Sequence, residues 1–196
     1  MDIALIRELA GIIAGVLALS ACPIYVRSIL RGETRPDRAT WWILFFGSVI
    51  LAGSYWAAGA RDTIWIPLAY CACYLVAAVL SVFYGAGRPQ LTHFDKVCLA
   101  GALASAAIWW FTQNPIIALT LQMVIEMFGL IPTMEKTYRE PGTESRAAWG
   151  LATFASVINL IAIGSWTYAI AAYPIFVVAT NAPILWLALR RPSTRV

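Results

Sequence analysis

Residues 38–50 read RATWWILFFGSVI, and residues 146–158 read RAAWGLATFASVI. Seven of these thirteen positions are identical: Arg38 with Arg146, Ala39 with Ala147, Trp41 with Trp149, Phe46 with Phe154, Ser48 with Ser156, Val49 with Val157 and Ile50 with Ile158. Apolar composition alone yields chance matches of Ala, Val and Ile. It does not place Arg, Trp and Ser together in one register. The two segments are therefore read as copies of one unit. The likeness weakens outward but persists. Upstream, Pro23 stands four residues before Arg27, and Pro132 stands four before Lys136. Downstream, Pro67 and Pro174 open later apolar runs at similar distances. The register slips by one residue in each linking loop, as loops tolerate.

The surroundings of the duplicated segments are apolar. Of the 196 residues, 61 % are hydrophobic and 12 % charged, against roughly 25 % charged in a typical soluble domain. A chain of this size has too little interior to hide that much apolar surface, whereas lipid accepts it. Apolar runs fall at 9–26, 41–59, 63–85, 97–112, 115–134, 147–169 and 171–189. A helical span needs about 20 mostly apolar residues, so these read as seven crossings with short loops and no second soluble domain. Trp65, Trp109, Trp110, Trp166, Tyr168 and Tyr173 sit near run ends, where aromatics suit the bilayer interface.

The net charge of +4 is explained by topology rather than by nucleic acid. Arg27, Arg31, Arg35 and Arg38 follow the first run, Arg88 and Lys96 the third, Lys136, Arg139 and Arg146 the fifth, and Arg190, Arg191 and Arg195 the last. With seven crossings all of these lie on one side, and only Arg7 and Arg61 lie on the other. Cationic loops stay in the cytoplasm. The N-terminus is expected outside and the C-terminus inside, in a bacterial inner (plasma) membrane. Leu19-Ser20-Ala21-Cys22 resembles a lipoprotein cleavage box, but a signal peptide begins with a positive segment, and Asp2, Arg7 and Glu8 sum to a negative one.

The duplication then sets the organisation. Residues 1–90 form repeat one with three helices, 91–113 a linker helix, and 114–196 repeat two with three helices and a short tail. A three-helix unit ends on the side opposite to its start. A second copy in the same orientation requires one extra crossing, which the linker supplies. Such parallel repeats are related by an axis along the membrane normal. The fold class is all-α integral membrane, seven helices in a three-plus-one-plus-three arrangement. A central cavity between the units is the natural site.

This arrangement, with a proline near the cytoplasmic end of the first helix of each repeat, resembles the SWEET, SemiSWEET and PQ-loop transporter superfamily. The segment PTMEKTYREPGTES from Pro132 to Ser145 looks like the loop after that family's Pro-Gln motif. The Pro-Gln pair itself is replaced by Pro23-Ile24 and Pro132-Thr133. The resemblance implies alternating-access movement of a small polar solute such as a sugar, amino acid or vitamin-like molecule, with protons as an open second partner. It also implies solute contact by an Asn in the third helix of a repeat, which here is Asn181, opposite Cys73 and Tyr74 in the first repeat.

Glu126 is the clear ionisable residue inside a span. It lies ten residues before Lys136, about 15 Å along a helix, and such residues usually face a bundle interior. Gln122 lies one turn away on the same face. Asn159 shares a face with Trp149 and Ser156. Glu126, Asn181, Gln122, Asn159 and Tyr74 are the candidate solute contacts. Each has a structural counter-reading, as a hydrogen-bonded joint between helices. Trp41 and Trp149 are candidate gates or interface anchors, and Pro23 and Pro132 candidate hinges. Pro183 frees a carbonyl near the depth of Asn181.

Several functions find no support in the residues. Lysine occurs only at Lys96 and Lys136, at membrane edges, which argues against a retinal Schiff base. His93 is the sole histidine, and the four cysteines Cys22, Cys71, Cys73 and Cys98 have no metal or disulfide spacing. On a helix Cys71 and Cys73 point about 200° apart, so all four read as small core residues. No metal, cofactor or phosphate loop is expected, and the chain does not read as an enzyme. An enzyme acting on lipid through Glu126 lacks a second titratable group beside it. The rival to a carrier is a non-transporting receptor, sensor or complex subunit. One chain suffices for a pore, and the oligomeric state stays open.

Overall fold

The computed structural model describes residues 2–32, 38–85, 93–139, 141 and 145–190. Arg35, Arg88, Arg191 and Arg195 lie outside the described residues, as do the side chains of Arg38, Cys98, Trp109, Pro132 and Lys136. Seven α-helices follow in order: α1 (Ile3–Leu30), α2 (Arg38–Ala57), α3 (Trp65–Tyr84), α4 (His93–Thr112), α5 (Pro115–Arg139), α6 (Arg146–Ile161) and α7 (Tyr168–Leu189). A short 3-10 element at Pro141 makes eight described helical elements. No strand occurs among the described residues.

Among the described residues three helices, α1, α3 and α7, are long and apolar enough to cross a bilayer. The protein is membrane-associated on that ground. The expectation of seven equal crossings is met only in part. Among the described residues α6 falls short, with 16 residues, about 24 Å at helical rise. The physical reason is visible in the sequence: Gly164 and Ser165 interrupt the run that was read as continuous to residue 169.

Local chemistry sets the helix ends. The Asp2 carboxylate accepts from the Ala4 amide at 3.1 Å and caps α1, and Ser145 caps α6 through the Ala148 amide at 3.3 Å. Each satisfies a first-turn amide that has no intrahelical partner. Between α4 and α5, Gln113 turns the chain at φ 50°, and the Asn114 side chain accepts from the Ile116 amide at 3.0 Å. Pro115 then fills the first helical position, where its missing N–H is not needed.

Helix packing follows a ring. α3 packs against both α1 and α2, α2 against α5, α5 against α7, α7 against α6, and α6 back against α1. α4 sits outside, against α5 and α2. The interior is built of small and aromatic residues, with Ala14, Ala18, Ala155, Tyr55 and Tyr173 all almost fully buried. The outside carries the large apolar side chains, including Phe46, Phe83, Phe111, Phe154 and Trp186. Exposed apolar surface on this scale marks contact with a membrane or partner.

The proline in α7 is answered from another helix. Pro174 lies inside α7 and not at its start, as the sequence reading placed it. It cannot donate to the carbonyl four residues back, at Ile170. The Tyr55 hydroxyl of α2 donates to that carbonyl instead, and accepts from the Thr63 hydroxyl at 2.7 Å. Asn159 of α6 donates through Nδ2 to the Thr63 carbonyl at 3.5 Å. These buried contacts tie α2, the α2–α3 connection, α6 and α7 at one end of the ring. The C-terminal end of α1 and the N-terminal end of α6, with Arg31 and Arg146, lie at the opposite end, called here the basic end.

Candidate functional site

The ring encloses a cavity of about 350 Å³. All six ring helices line it, and no described residue of α4 does. From α1 come Cys22 and Tyr25, and from α2 comes Trp41. From α3 come Tyr70, Cys73 and Tyr74, and from α5 Glu126. The other walls are Trp149 of α6 and Val177, Thr180 and Asn181 of α7. Trp41 and Trp149 lie in the first turns of their helices, so the cavity occupies the half of the ring nearer the basic end. The other end is closed by the Tyr55, Thr63 and Asn159 contacts.

The aromatic residues form a continuous wall. The Tyr25 and Trp41 rings are 4.9 Å apart, Trp41 and Tyr74 5.7 Å, and Tyr74 stacks on Tyr70 at 5.9 Å. These offset and tilted geometries are favourable for aromatic pairs, and they fix the side chains of three helices relative to one another. Asn181 donates through Nδ2 to the Tyr70 hydroxyl at 3.2 Å. Thr180 is committed to its own helix, donating to the Phe176 or Val177 carbonyl.

Glu126 stands on α5 with no hydrogen-bond or ion-pair partner among the described residues. No lysine, arginine or histidine among the described residues lines the cavity with it. The spacing that made Glu126 conspicuous in the sequence thus corresponds to a carboxyl group placed in the wall of the central cavity.

The structure brings together Glu126, Asn181, Tyr74, Trp41 and Trp149. It separates the remaining candidates from them. Gln122 is buried outside the cavity, its Oε1 3.3 Å from where a Cβ on Gly47 would stand, in the α2–α5 contact. Asn159 belongs to the closed end. Pro23 faces outward from α1. Pro132 falls within α5, with its side chain outside the described residues.

Sequence reasoning missed Tyr25, Tyr70, Cys22 and Cys73. Cys22 and Cys73 were read as packing residues, yet both line the cavity and their thiols are in hydrogen-bond contact. A signal for two of the four was available. Tyr70, Cys73 and Tyr74 stand three, six and seven residues after Pro67, and Val177, Thr180 and Asn181 stand at the same distances after Pro174. All six line the cavity.

Among the described residues Ser54 Oγ, Gln122 Nε2, Thr153 Oγ1 and Asn159 Oδ1 are buried and make no hydrogen bond; Thr153 lies in the middle of α6 and the other three toward the closed end. Each costs about 1–3 kcal/mol relative to a satisfied group. Comparison with known protein families, characterised proteins and solved structures gives no match to this chain.

Proposed function

We propose that this chain is a seven-helix membrane carrier of SWEET-like arrangement, moving a small solute by alternating access between two parallel three-helix repeats. The observation that carries the reading is an exchange relation in the packing. Swapping α1, α2 and α3 for α5, α6 and α7 turns the α1–α3 contact into α5–α7, α2–α3 into α6–α7, and α1–α6 into α2–α5, and every one of these contacts occurs. The cavity-lining residues obey the same exchange, with Trp41 facing Trp149 and Tyr74 facing Asn181 in register. A cavity shared equally by two copies of one unit is what a rocking mechanism uses.

The direction of opening follows from sidedness. With the basic end cytoplasmic, this conformation opens its cavity inward and is closed outside by the bonds of Tyr55. The unpartnered Ser54, Gln122 and Asn159 groups sit toward the closed end, where an outward opening exposes polar atoms to water and recovers their hydrogen bonds. That offsets part of the cost of separating the Tyr55, Thr63 and Ile170 contacts.

Counterflow into proteoliposomes tests the reading. Vesicles preloaded with each of a panel of sugars, amino acids, amines and vitamins are diluted into trace label of the same solute. At least one solute is expected to exchange saturably, and only in vesicles holding the protein. If folded protein exchanges none of them, a receptor or complex subunit replaces the carrier.

A further inference from the structure

The chemistry of the cavity wall identifies a class of occupant, and this step rests on the carrier reading only for calling that occupant cargo. Among the described residues the wall holds one carboxyl group, Glu126, without a hydrogen-bond or ion-pair partner, and no cationic side chain. Around it stand five aromatic residues, Tyr25, Trp41, Tyr70, Tyr74 and Trp149. A charge held away from water requires a counter-charge. The faces of Trp and Tyr attract cations through the ring quadrupole, most strongly where water is excluded. We infer that the cavity is a binding site for a monovalent organic cation, a quaternary or protonated amine of modest size.

Other solute classes fit the wall less well. A sugar needs a polar partner for most of its hydroxyls. Here the Asn181 amide is directed at Tyr70 and the Thr180 hydroxyl at its own helix, so two of the wall's side-chain donors are already committed, and Glu126 is its one charged acceptor among the described residues. An anion meets an unopposed carboxyl group and the negative faces of the rings. A zwitterion places its own carboxylate where no lysine or arginine receives it. A compact cation needs what is present: one carboxylate for its charge and aromatic faces for its methyl or methylene groups. A volume of about 350 Å³ admits such a molecule and is at the lower end of ordinary ligand sites.

Calorimetric titration of the detergent-purified protein in nonionic micelles tests this without requiring transport. The probes are choline, tetramethylammonium and methylpyridinium, each against a neutral carbon isostere, which for choline is dimethylbutanol. Choline is expected to bind at least about tenfold tighter than its isostere, since a desolvated cation–aromatic contact and a paired carboxylate each exceed the ~1.4 kcal/mol that tenfold represents. Glu126→Gln, which keeps shape and hydrogen bonding, is expected to remove that preference. Trp41→Leu is expected to weaken the cations while sparing the neutral compound. Equal binding of choline and its isostere to wild type overturns the proposal, and so does the absence of heat with every cation while the protein elutes as one species. Cation binding without counterflow upholds this site and removes the carrier reading. Counterflow of neutral solutes without cation binding does the reverse.

Discussion

Replacing Gly11 with leucine is expected to abolish the folded protein, and alanine alone is expected to destabilise it severely. A Cβ on Gly11 would stand 1.8 Å from the Asp62 carbonyl oxygen and 3.0 Å from Trp65 Cδ1. One turn on, a Cβ at Gly15 would stand 2.6 Å from the Trp65 Cβ. These obstacles are backbone and the base of a side chain, so no rotamer relieves them. Insertion of one extra group into a packed core typically costs ~1–3 kcal/mol. Here α1 must withdraw from the α2–α3 connection, which loosens the α1–α3 wall and the closed end together. Gly150 supplies the control. It lies within α6, nothing stands within 4 Å of its Cβ position, and alanine there is expected to be neutral or stabilising by up to about 1 kcal/mol. The fraction eluting as one species from detergent and the melting temperature read both. A Gly11→Ala protein that elutes and melts like wild type contradicts the packing described.

The second large effect is on uptake. In the cation reading Glu126 carries the only charge among the described residues of the cavity wall, so Glu126→Gln leaves a bound cation uncompensated. Loss of one partner from a buried charge pair costs roughly 3–5 kcal/mol, which corresponds to about 10²–10⁴-fold in affinity. Uptake of a cationic solute at fixed low concentration is expected to fall by that order. Glu126→Asp, which keeps the charge on a shorter stem, is expected to retain measurable uptake. Near-wild-type uptake by the glutamine variant would place the recognition of charge elsewhere. Both variants are expected to melt near wild type, because Glu126 has no bond to another described residue whose loss would weaken the fold.

Much of the fold was legible because lipid simplifies the code. Apolar runs marked the helices, and one register of Arg, Trp and Ser pointed to the duplication on which the carrier reading rests. Run ends were read less well. The sixth run was carried to residue 169, whereas α6 stops at Ile161 and the chain crosses by Gly164 and Ser165. Pro174 was placed at a helix start because proline suits that position. It sits within α7, and the Tyr55 hydroxyl supplies the donor that proline lacks. That compensation comes from a helix more than a hundred residues away, and no local pattern announces it.

The site was legible where a residue was chemically out of place. Glu126 and Asn181 are polar in apolar runs, and both line the cavity. The same rule also selected Gln122 and Asn159, which are buried in helix contacts. Polarity alone does not say which way a side chain faces. The aromatic wall was invisible for the opposite reason. Tyr25, Tyr70 and Tyr74 resemble interface or core residues until the ring of helices turns them inward. Comparing the two copies from Pro67 and Pro174 is the sequence operation that finds Tyr70 and Cys73, since it carries the position of Asn181 and its neighbours across the repeat.

The central claim is that the cavity is reached in turn from both sides of the membrane, and Cys73 reports on it directly. Cys73 lies in the cavity wall, and Cys22→Ala, Cys71→Ala and Cys98→Ala together leave it as the single thiol in the chain. A membrane-impermeant thiol reagent is applied to vesicles of each orientation, and labelling of Cys73 is followed over time. The account predicts labelling from both faces, with the arginine-bearing face the faster, because the cavity lies nearer that end. Labelling from one face only, at any length of exposure and with the protein intact, would contradict alternating access.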